Sequence, residues 1–145
     1  MMKKLITTIC LVFAFQSVAF AQSFDLTEKF KKSFNETVQE VQSTENAGEK
    51  RMLLNDSFSN MITVIKRIES KANLSEDEIA QLKAYKRDIQ EKKAELNGRN
   101  DFDKVQDKAL NDFSDYSQQY FEQADRTITI GLTAALLIVL ILILL

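Results

Sequence analysis

The chain has no histidine, no proline and no tryptophan, one cysteine, and three glycines among 145 residues. Each shortage excludes something. Without histidine, the commonest general base, the commonest transition-metal ligand and the usual axial ligand of haem are all missing. With no proline and so little glycine, a fold rich in β-hairpin turns is out of reach, and the expected class is all-α. A ferritin-like di-metal bundle and an ordinary zinc site fail for want of histidine. Asp101-Phe102-Asp103 opens like a calcium loop, but Val105 and Gln106 stand where the fifth and sixth loop positions need an Asn or Asp and a Gly. No glycine-rich phosphate loop is present, and nothing singles out a serine with a lysine partner as a nucleophile. The expectation is a protein without enzymatic activity and without a cofactor or metal.

What is present begins with an export signal. Lys3 and Lys4 precede an apolar run over residues 5–15, and Ala19-Phe20-Ala21 supplies the small-x-small pattern before Gln22. Residues 1–21 are therefore expected to be a signal peptide. The sole cysteine, Cys10, falls inside it, so the mature chain would carry no thiol and no disulfide. An exported domain that must rely on its apolar core alone suits a periplasm better than a eukaryotic extracellular space.

At the other end, residues 128–145 run without a charge. At 1.5 Å per residue they would span roughly 27 Å as a helix, close to the roughly 30 Å of a bilayer's hydrocarbon core. The expectation is a single-pass membrane anchor, with residues 22–127 as an extracytoplasmic domain. Arg126 flanks the outer end of the anchor and nothing basic follows it, so the positive-inside rule lends this orientation no support. Tyr120, Phe121 and Arg126 are expected at the membrane interface. Thr127, Gly131 and Ala135, spaced by four, would form a small-residue stripe for helix packing within the bilayer.

Between these ends lie four helical stretches. Leu26, Phe30, Phe34, Val38 and Val41 draw one apolar stripe to about residue 45, with Asn46-Ala47-Gly48 read as its stop. Leu54, Phe58, Met61, Ile65, Ile68 and Ala72 form a heptad seam over 49–71, widened by Leu53, Ile62 and Val64. Ser75 with Glu78 forms a capping box for a third helix ending before Gly98. Its seam of Ile79, Leu82, Ile89 and Leu96 is interrupted by Lys86 and Lys93, which suggests a helix at the edge of the bundle. From Asn100 or Asp101, the stripe Phe102, Val105, Ala109, Phe113, Tyr116 and Tyr120 predicts a fourth helix. With no glycine or proline before the apolar run, it is expected to continue into the bilayer as one rod of about 45 residues, a break at Asp125 to Thr127 being the main alternative. The fold expected is thus a small antiparallel bundle of three to four helices, the last running into a C-terminal transmembrane helix.

Residues 83–99 carry six basic and three acidic side chains, whereas 101–125 carry two and seven. Opposite charge favours pairing of the last two helices as an antiparallel hairpin, although each exposed ion pair contributes only about 0 to 1 kcal/mol. No dense basic patch with interleaved aromatics indicates nucleic acid. The functional expectation is a membrane-tethered extracytoplasmic interaction or accessory module, its partners the lipid bilayer and a protein or a second copy of itself. The competing expectation is a bundle that opens to bind lipid or another apolar ligand. The acidic fourth helix makes that second design a poor one for anionic lipid.

Overall fold

In the computed structural model, residues 24–123, 129–130, 140 and 143–144 are described. A two-residue strand, β1 (Phe24–Asp25), leads into α1 (Leu26–Ser43), α2 (Ala47–Lys71) and α3 (Glu76–Asn97). A 3-10 turn (Asp107–Ala109) then opens α4 (Leu110–Gln123), and β2 (Thr129–Ile130) pairs antiparallel with β1, Phe24 opposite Ile130 and Asp25 opposite Thr129. The described helices form a four-helix bundle, in agreement with the all-helical reading. The membrane anchor and the signal peptide fall on residues outside those described, β2 and residues 140 and 143–144 apart. Among the described residues, no helix is long and apolar enough to cross a membrane.

Side-chain contacts set the directions. Thr37 meets Ser57, Lys86 and Lys93 meet Glu69 and Ser59, and Tyr85 and Lys92 meet Phe121 and Tyr116. Along the α2–α3 and α3–α4 seams one number rises as the other falls, so these helices run antiparallel. The same holds for α1 and α4, where Phe34 meets Phe121 and Gln42 meets Asp115. The closest backbone packing joins α4 to α1, α1 to α2 and α2 to α3, and α2 lies diagonal to α4.

The apolar stripes of α1 and α2 are buried as their spacing requires, and Val64 joins the second. Each helix contributes one ring to the centre: Phe34 stacks on Phe58 at 5.3 Å and takes the edge of Phe121 at 5.2 Å, and Tyr85 meets Phe121 at 6.1 Å. Burying a phenylalanine stabilises by roughly 1.5–3 kcal/mol, and T-shaped or offset rings add to this.

Local chemistry explains where the helices start and stop. The Ser75 hydroxyl accepts from Glu78 N at 3.2 Å while Glu78 Oε2 accepts from Ser75 N at 2.8 Å, the capping box expected for α3. Gly98 ends α3 at φ 67°, and a Cβ there would lie 2.8 Å from the Lys104 backbone nitrogen, so conformation and space both demand glycine. Asn46, by contrast, does not stop α1. Its side chain accepts from Glu49 N at 3.0 Å and caps α2, which places Gly48 in the first turn of that helix.

Two expectations about the last helix are corrected. First, it begins at Leu110 and not near Asn100. Asn100 and Asp101 hold positive φ values of 55° and 66°, and the chain runs on without helix as far as Gln106. Arg51 fixes this segment by donating to the carbonyls of Leu96 and Val105 and to Asp107. Phe102, assigned to the core by its spacing, is consequently 41% exposed. Second, the helix does not run unbroken from α4 into the apolar run: α4 is described as far as Gln123, and Thr129–Ile130 is extended beside the start of α1.

The last two helices do run antiparallel, but they meet through Lys92 with Tyr116 and Tyr85 with Phe121, and the closest backbone partner of α4 is α1. Burial of Phe34, Phe113 and Phe121 outweighs exposed ion pairs worth at most about 1 kcal/mol each.

Candidate functional site

The α3–α4 seam holds the least ordinary chemistry among the described residues. Leu82, Tyr85, Ile89 and Leu96 form the inner stripe of α3, and Lys92 takes the remaining place in that period. The residue is 7% exposed. The ammonium donates to Glu95 Oε2 and to the Tyr116 hydroxyl, both at 2.8 Å, and lies 4.2 Å and 4.6 Å from the ring centres of Tyr116 and Tyr120. Burial works against its charge, but the hydrogen bonds to Glu95 and Tyr116 and the negative charge of the Glu95 carboxylate outweigh it, lifting the Lys92 pKa above the ordinary 10.5.

That direction decides what the seam can do. A lysine nucleophile or general base must be neutral near working pH, so its pKa has to fall. Lys92 is instead a fixed cation, clasped by a carboxylate and two aromatic rings. Tyr116 remains half exposed on its outer side, and Asp88, one turn before Lys92, is buried. The seam is built to join two helices whose backbones stand apart.

Elsewhere the described residues offer less. An open depression of about 560 Å³ is lined by Ser33, Glu36, Thr37, Gln39, Glu40 and Ser43, all on α1, so it is a surface hollow and not an enclosed pocket. Among the described residues, no group of three or more acidic or thiol side chains is placed to hold a metal ion.

Of the residues singled out from sequence, Tyr120 is partly buried against Lys92 and Phe121. Phe121 is 1% exposed and belongs to the ring cluster, so it has no surface to offer a headgroup layer. Arg126, Thr127, Gly131 and Ala135 lie outside the described residues. Sequence reasoning passed over Lys92, Tyr85 and the Asn55–Asn97 contact. The signal was there for the first two: positions 82, 85, 89, 92 and 96 keep a three-and-four spacing, but a lysine in that series does not look like a core residue. No protein-family model, no curated protein and no solved structure matches the chain.

Proposed function

We propose that this chain is a membrane-tethered extracytoplasmic helical module that serves as an interaction or accessory unit and carries out no catalysis. The supporting observation is the pairing of Phe24–Asp25 with Thr129–Ile130. It brings the residues that follow the export signal beside those that open the uncharged run 128–145, at the end of the bundle where α1 starts and α4 stops. The turn between α1 and α2, the Asn100–Asp101 loop and exposed Phe102 fall at the opposite end, where Arg51 and Lys50 reach Val105 and Asn111. A module so held would keep its connections on one side and offer the other to a partner. The four-ring centre favours a closed bundle over a carrier that opens around an apolar ligand.

Proximity crosslinking in native membranes, with protease accessibility in the same preparation, tests the reading. The expected result is a chain that resists alkaline extraction, is digested from the extracytoplasmic side and crosslinks to a partner through the loop end. Recovery as an isolated, readily washed monomer would overturn it.

A further inference from the structure

Charge in the bundle is divided by face and not by helix. From residue 60 to the end of α2 the charged side chains are Lys66, Arg67, Glu69 and Lys71, and from 79 to 90 on α3 they are Lys83, Lys86, Arg87 and Asp88. Glu69 is taken up by Lys86 in the seam between the two helices, and Asp88 is buried. Over these two stretches the exposed charges are therefore Lys66, Arg67, Lys71, Lys83 and Arg87, all basic, with exposed Glu91 one turn beyond Arg87 as the acid that borders them. The acids Glu76, Asp77 and Glu78 are confined to the first turn of α3, at the end of this face. Diagonal to α2, α4 carries Asp112, Asp115 and Glu122 and no basic residue.

We infer that the α2–α3 face docks on the anionic headgroups of the bilayer that tethers the chain, so that the bundle lies on that side with α4 turned away. The inference rests on the tethered reading above. Two observations select lipid as the occupant. The basic cluster lies in the half of the bundle nearest the β1–β2 pair, where the uncharged run begins, so an anionic surface would be held within reach at high effective concentration. The opposed acidic helix makes the bundle a transverse dipole, which an anionic surface both attracts and orients. Read helix by helix, the charges hide this face, because its members come from two segments ten or more residues apart.

The test uses the full chain with Cys10→Ser and a single fluorophore at Gln90→Cys, on the basic face, or Gln119→Cys, on α4, both exposed positions. The chain is reconstituted in phosphatidylcholine vesicles with or without phosphatidylglycerol, each containing a headgroup-linked quencher. The expected result is stronger quenching at position 90 than at 119 in the anionic vesicles only, lost when salt shortens the screening length from about 10 Å to about 3 Å. Lys66→Glu with Arg87→Glu should lower the docked population by about five-fold or more per charge removed. Equal quenching at both positions, the same asymmetry in neutral vesicles, or indifference to the charge reversal would each overturn the inference. Flotation with the vesicles after an alkaline wash reads the tether and is independent of these charges, so failure of the tether and failure of the docking face give different results.

Discussion

The side-chain amides of Asn55 and Asn97 hold one another reciprocally across the α2–α3 seam: Asn97 Nδ2 donates to Asn55 Oδ1 at 2.7 Å, and Asn55 Nδ2 donates to Asn97 Oδ1 at 3.2 Å. Asn97 also donates to the Lys93 carbonyl at 2.8 Å. With Arg51 on the Leu96 carbonyl, Lys93 on Ser59 and Lys86 on Glu69, the pair forms a polar ladder along one edge of an apolar core. Such a ladder specifies register, because a shift of one turn would leave every rung unpaired. Truncating one member should therefore cost more than replacing both. Asn97→Ala is expected to destabilise by about 1–2 kcal/mol, and Asn55→Leu with Asn97→Leu by less than either single leucine change alone. A double-mutant cycle by urea denaturation measures the difference.

Phe121 and Phe102 carry the same side chain to opposite ends of the burial scale. Phe121→Ala empties the place where rings from α1, α2 and α3 converge and should cost about 3–5 kcal/mol. Phe102→Ala removes an exposed ring from a loop and should stay within about 0.5 kcal/mol. Thermal unfolding of the two variants would show whether the last helix is anchored by its rings, as the packing requires.

At Lys92 the folded pKa lies above the ordinary 10.5, so the charged form is favoured by folding. The sign follows from linkage. A raised basic pKa contributes stability that is complete below the unfolded value and is lost as pH climbs through the folded one. Lys92→Met should thus lower stability at neutral pH and flatten its decline above about pH 10.5. Denaturation midpoints across the alkaline range should converge for the two proteins; parallel curves would refute the assignment.

Gly98 sits at φ 67° with the Lys104 backbone 2.8 Å from where a Cβ would stand. Gly98→Ala must meet both the left-handed penalty, about 1–2 kcal/mol, and the clash with the returning loop. A total loss of about 2 kcal/mol or more is expected. Hydrogen exchange should place the damage at the end of α3 and in the segment before α4, with α1 protected as before.

The loss expected for Ser75→Ala is about 1 kcal/mol, the ordinary value for a cap, because Ser75 and Glu78 satisfy each other's backbone donors with no help from the rest of the bundle. Circular dichroism should show fraying confined to the first turn of α3.

That cap also marks the boundary between what could be read and what could not. The Ser75 box, the Gly98 stop and the stripes of α1 and α2 depend on residues within about two turns of one another, and such patterns survive in the linear order. The opening of α4 did not, because the stripe from Phe102 to Tyr120 is continuous on paper and is broken by Arg51, a residue of α2, drawing Val105 and Asp107 to itself. Asn46 followed the same logic at shorter range: two adjacent signals, an Asn cap and a Gly stop, competed, and the side-chain bond to Glu49 decided for the cap.

Composition and order by themselves determined the helical class, the amphipathic faces and the absence of histidine chemistry, because these follow from residue identity and period alone. Only the tertiary structure decided that α4 lies along α1, that Lys92 is clasped and kept charged, and that basic residues of α2 and α3 share one face opposite an acidic helix. Packing of rings worth a few kcal/mol each chose the neighbours, and the neighbours then determined which charges stand together.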